Sequence, residues 1–132
     1  MGRIDRYYIV AAATYLVIGL CLGIGMGITE NFQLVAVHAH INLVGWASLG
    51  LYGLTIRAFP ELGASKLAPW QFGVANLGAI TFLPGIALAV TQTTQVLAIV
   101  GSLIWLLGAL LFLAMCIGLA RNGRQPRDRT PR

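Results

Sequence analysis

Residues 7–28 read YYIVAAATYLVIGLCLGIGMGI, a run without one Asp, Glu, Lys or Arg. Coiled as a helix at about 1.5 Å per residue, it reaches about 33 Å, enough to cross the hydrocarbon core of a bilayer. In hydrocarbon every backbone N–H and C=O must be bonded within its own segment, so the run is helical. Tyr7 and Tyr8 suit the membrane interface at its start, and Thr29, Glu30 and Asn31 end it. Arg3 and Arg6 precede it as in a signal peptide, yet the run is too long for a cleaved apolar core and is expected to remain as a helix.

The rest of the chain repeats the pattern. Of 132 residues 58% are apolar and only 10% charged, which excludes an ordinary soluble surface. Three further apolar runs cover about 34–58, 70–90 and 95–120. Pro60 stops the second, because the residue before a proline avoids the helical region. Pro84 lies inside the third and is expected to kink it. Glu61 to Pro69 reads as a polar loop, and Thr91 to Gln95 as an uncharged turn. Gly19, Gly23 and Gly27 recur at every fourth position of the first run, a face suited to close helix approach. Cys21 and Cys116 fall at different depths and read as small packing residues.

The expected fold is therefore all-α, an integral membrane four-helix bundle. Residues 1–120 form one four-span domain, and residues 121–132 read as a basic disordered tail. With four crossings, the N-terminus, the loop after the second span and the tail share one side, and all nine Lys and Arg residues lie there. The positive-inside rule makes that side cytoplasmic, so both termini are cytoplasmic and the protein belongs to the inner (cytoplasmic) membrane. The net charge of +5 is a topology signal beside membrane segments and implies no nucleic-acid partner.

The second run carries both histidines of the protein, His38 and His40. They lie roughly 6 to 9 Å below its outer end at the helical rise. An ionisable side chain inside a span is unfavourable unless partnered, which makes it a functional candidate. A single such histidine could equally be bonded to a carbonyl; two within three residues favour function. Residues two apart on an α-helix point about 200° apart, so the pair is ill placed to chelate one metal ion and suits two different partners. Heme iron fits, because an axial imidazole needs one histidine per face and the porphyrin needs an apolar slot. Small residues of the second run, among them Ala36, Ala39 and Gly45, could line it. Met26 lies at matching depth as a possible sixth ligand, although an isolated Met is more often plain packing. Gln33, Thr91, Gln92 and Gln95 are available to propionates.

The segment His38-Ala39-His40-Ile41-Asn42-Leu43-Val44-Gly45-Trp46, followed by Gly50, Gly53 and Pro60, resembles the second transmembrane helix of the heme-copper oxidase subunit I superfamily. The nitric oxide reductase and cbb3-type branches are the nearest in flavour. The resemblance covers about 25 residues; beyond them only hydrophobic helices are shared. It implies a low-spin heme whose axial ligand, through the His-x-Asn-Leu pattern, is His40. Full-length members have about twelve helices and further histidines, whereas no histidine lies outside the second run here. A complete oxidase is therefore not expected, and a bis-histidine heme would draw His40 or His38 from another copy. The leading expectation is a heme b protein acting in electron transfer or diatomic-gas sensing, as a homo-oligomer in the lipid bilayer with an electron-transfer partner. Two other classes compete. One is a copper-binding or oxidase-assembly protein using His38, His40 and Met26; the other is a cofactor-free structural subunit.

Overall fold

The computed structural model describes residues 4–122, so the proposed tail at 121–132 lies almost wholly outside the described residues. Every regular element among them is helical. Helix α1 spans Ile4–Thr29, beginning one turn before the apolar run. Helix α2 (Val35–His40) passes into a π-helical segment (Ile41–Ser48) and then into α3 (Leu49–Ala58). The junction residues Ile41, Ser48 and Leu49 all keep right-handed helical angles, so the three form one continuous rod. Helix α4 is a single turn (Pro60–Gly63), α5 spans Ala68–Val90 and α6 spans Val96–Asn122.

Local chemistry explains the breaks. Phe59, ahead of Pro60, leaves the helical region at φ −125° and ψ 83°, which ends α3. Pro60 then opens α4, and Pro69 stands in the first turn of α5, where a missing N–H has no consequence. The stretch after Pro60 is thus more than a polar loop: it makes a helical turn and buries Leu62. Glu30 and Gln92 adopt positive φ (54° and 58°) just after α1 and α5, the left-handed terminating conformation more often given to glycine. Helix α5 runs unbroken through Pro84.

The helices form two antiparallel pairs. Along the first, α1 meets the rod level by level: Tyr8 covers Gly53, Ala12 covers Gly50, Tyr15 covers Gly45, Asn42 fills the space over Gly19, and His38 that over Gly23. Bulk on one helix is matched by its absence on the other, which brings the axes close. The Gly19 and Gly23 face is therefore consumed inside the chain, while Gly27 stays open. In the second pair the contact is backbone on backbone. A methyl on Gly78 would lie 2.7 Å from Trp105 Cα, and one on Gly101 2.5 Å from Phe82 Cα.

Gln71, fully buried, joins the pairs. Tyr8 donates its hydroxyl to Gln71 Oε1 at 2.5 Å, and Gln71 Nε2 donates to the Gly108 carbonyl at 3.5 Å. One amide so links α1, α5 and α6, and such interhelical bonds are worth about 0.6 to 2 kcal/mol each in lipid. Around it lies the lower core, which includes Ala12, Leu49, Leu62, Ala68 and Met115, with Ile4 and Leu119 packed on it. The described start and end of the chain and the connection after α3 therefore gather at one end of the bundle.

The surface is inside-out for water. Val10, Val17, Ile24, Leu51, Leu54, Ile80, Leu103 and Leu110 are all more than half exposed. Soluble proteins do not carry apolar belts of this extent. Helices α1, α5 and α6 are each long and apolar enough to cross a membrane, which makes this a multi-pass membrane protein.

Candidate functional site

His38 and His40 occupy the last turn of α2, just before the π segment, toward the bundle end away from the chain termini. Segments of π-helix are rare and concentrate at functional sites. Here Ser48 donates its hydroxyl to the Leu43 carbonyl five residues back (2.7 Å), and Asn42 donates its side-chain amide to the His38 carbonyl (2.9 Å). Both side chains compete for helix carbonyls around this stretch.

The two imidazoles turn to different helices, one toward α1 and one toward α5. His38 places Nδ1 2.9 Å from the Gly19 carbonyl oxygen of α1. A carbonyl only accepts, so His38 carries its proton on Nδ1 and leaves Nε2 as an acceptor, toward which the Asn42 amide lies at 3.4 Å. Both nitrogens of His38 are thereby engaged, and the ring sits over Gly23. His40 places Nδ1 2.8 Å from the Ala36 carbonyl oxygen of its own helix, which fixes the same tautomer. Its ring meets Phe82 of α5 edge-on, with centroids 5.5 Å apart and planes at 88°. Among the described residues its Nε2 has no hydrogen-bond partner. A histidine held by an Nδ1–H to a backbone carbonyl, with Nε2 bare, is the usual posture of a metal-ligating imidazole.

Met26 is buried at 7% exposure, and no hydrogen bond joins its sulfur to either imidazole among the described residues. Nor does any group of three or more His, Cys, Asp and Glu side chains converge there. A cavity of about 350 Å³ opens between α1, the rod and α5, walled by Tyr15, Ile18, Val37, Ile41, Leu83 and Pro84 among others. Neither histidine is among its walls.

Tyr8, expected at the membrane interface, is instead fully buried against Gln71, a pairing that the sequence does not announce. Its only signal there is one amide shortly after Pro69 in a run otherwise fit for lipid.

No protein-family model, curated protein or solved structure matches the chain.

Proposed function

We propose that this chain is a heme b-binding protein of the cytoplasmic membrane, acting in electron transfer or diatomic-gas sensing without reducing oxygen itself. The observation that carries the reading is His40: its Nδ1 proton is committed to Ala36, and its Nε2 is free to donate a lone pair. The resemblance of the His38–Trp46 segment to the second helix of heme-copper oxidase subunit I supports the same residue. The group would supply a reversible one-electron change at iron. His40 would hold it from one side, Phe82 would limit the turn of the imidazole, and His38 would fix α2 against α1.

One chain offers one such nitrogen. A second histidine for the heme would therefore come from another copy, through its His40, in a homo-oligomer of closed symmetry. The face of the rod bearing Ala39, Leu43 and Trp46 is exposed beside His40 and is the contact surface this requires. Purified protein should show a Soret band that shifts reversibly on reduction, no oxygen consumption with an artificial donor, and a mass above one chain in mild detergent. Colourless protein that binds copper instead would overturn the reading. So would a monomer holding six-coordinate bis-histidine heme, since His38 and His40 of one chain face different helices.

The rod is taken as the fourth crossing, with both termini and the α3–α5 connection cytoplasmic. The support is the position of all Lys and Arg residues in the described chain, Arg6, Arg57, Lys66 and Arg121, near one end of the bundle. Single cysteines at Gln33 and Thr93 should react with an impermeant thiol reagent in intact cells, and one at Ser65 should not. Reversed labelling refutes this topology.

A further inference from the structure

At the termini end, α1 and α3 part around a groove of about 380 Å³ lined by Asp5, Arg6, Ile9, Val10, Gly53, Leu54 and Arg57. The groove is graded along its length. Its mouth carries two guanidinium groups and one carboxylate; a turn deeper the walls become Ile9, Val10 and Leu54, which are 40%, 65% and 58% exposed. Gly53 lies between them as the floor, where Tyr8 and the Asp5 carbonyl of α1 close directly on its backbone. Asp5 Oδ2 accepts from Arg57 Nη1 at 3.2 Å, a single contact that aims Arg57 while leaving its other donors free, with the side chain 69% exposed. Arg6 forms no ion pair among the described residues. The mouth therefore carries a net charge of +1, one phosphodiester's worth.

We propose that this groove holds an anionic phospholipid, its phosphate between Arg6 and Arg57 and the start of an acyl chain along Ile9, Val10 and Leu54. Arginine at the cytoplasmic edge of membrane helices is the recurrent partner of acidic headgroups, and its planar fork matches phosphate oxygens. The apolar lower half selects a lipid over free phosphate, which would gain nothing from those walls. A zwitterionic lipid would bring its own cation against Arg6 and Arg57. The inference needs only that this end of the bundle lies in a headgroup layer, and it stands or falls independently of heme.

The experiment is native mass spectrometry of the full chain in mild detergent, titrated with phosphatidylglycerol or phosphatidylcholine of identical acyl chains. Wild-type protein should retain one phosphatidylglycerol per chain, and phosphatidylcholine less well by roughly an order of magnitude. Arg6→Gln, which leaves the Arg57–Asp5 pair intact, should lower retention several-fold. Arg6→Gln with Arg57→Gln should lower it about tenfold or more. Lys66→Gln, the same charge change at the same end but outside the groove, should leave retention unchanged, and excess inorganic phosphate should not displace the lipid. Equal retention of the two lipids, an equal loss in Lys66→Gln, or displacement by phosphate would each overturn the assignment.

Discussion

Replacing His40 with alanine should abolish heme retention: the purified variant is expected to lack a Soret band while keeping its helical circular dichroism. The expectation follows from how the ring is held. Its Nδ1 proton is anchored on Ala36, its orientation is limited by Phe82, and among the described residues no other imidazole nitrogen lacks a hydrogen-bond partner. Loss of an outer-shell partner alone weakens metal binding 10–100-fold, so loss of the ligand should exceed about 100-fold. His38→Ala is the contrasting variant. It removes the bond to Gly19 and opens a space over Gly23, which should lower thermal stability by about 1 kcal/mol and alter the spectrum without abolishing it. An unchanged spectrum in His40→Ala, or full loss in a folded His38→Ala alone, would move the ligand away from His40.

The largest effect on stability is expected between α5 and α6. A Cβ on Gly85 would lie 2.6 Å from the Leu97 carbonyl carbon and 2.7 Å from Ala98 Cα, and one on Gly101 would lie 2.5 Å from Phe82 N. These neighbours are backbone, which no rotamer change can move aside, so the helices must separate. Gly85→Ala and Gly101→Ala should each destabilise by about 1–3 kcal/mol, and the double variant should fail to yield monodisperse protein. The same helices supply controls of opposite sign. Gly73 and Gly118 have nothing within 4 Å of an added Cβ. Gly73→Ala and Gly118→Ala should be neutral or stabilising by up to about 1 kcal/mol, because alanine is the better helix former. Thermal unfolding in one detergent compares all four, and equal behaviour of the two sets would refute the backbone contact.

What the sequence made legible is what depends on local chemistry. The apolar runs require helices, Pro60 requires a break, Gly19 and Gly23 announce a close approach, and the two-residue spacing of the histidines sends their rings to different helices. The remainder depends on partners distant along the chain. Nothing in Ile41–Ser48 marks a π segment by composition. The burial of Gln71 follows from where Tyr8 and Gly108 arrive. A further signal lies in the sequence itself: Gly78 and Gly85, like Gly101 and Gly108, stand seven apart, the spacing of a single helix face. Those faces prove to be the α5–α6 contact. At the candidate site, spacing and depth singled out both histidines alike, the resemblance to the oxidase helix preferred His40, and the fold adds a physical difference between them. The difference lies in their second partners, Asn42 for His38 and, among the described residues, none for the Nε2 of His40.

The apolar belt has a thermodynamic consequence. In the span-like windows of α1, α5 and α6 only 17%, 33% and 11% of residues are buried inside the bundle. When such helices part within a bilayer, their side chains pass from protein contact to lipid contact and meet no water. The heat-capacity increment of soluble proteins, about 12–15 cal/mol/K per residue, comes from hydrating newly exposed apolar surface and has no source here. The free energy of helix separation should then vary almost linearly with temperature, with no maximum and no cold-induced loss of structure. Urea, whose leverage scales with surface newly exposed to solvent, should likewise act weakly on the part of the fold inside the bilayer.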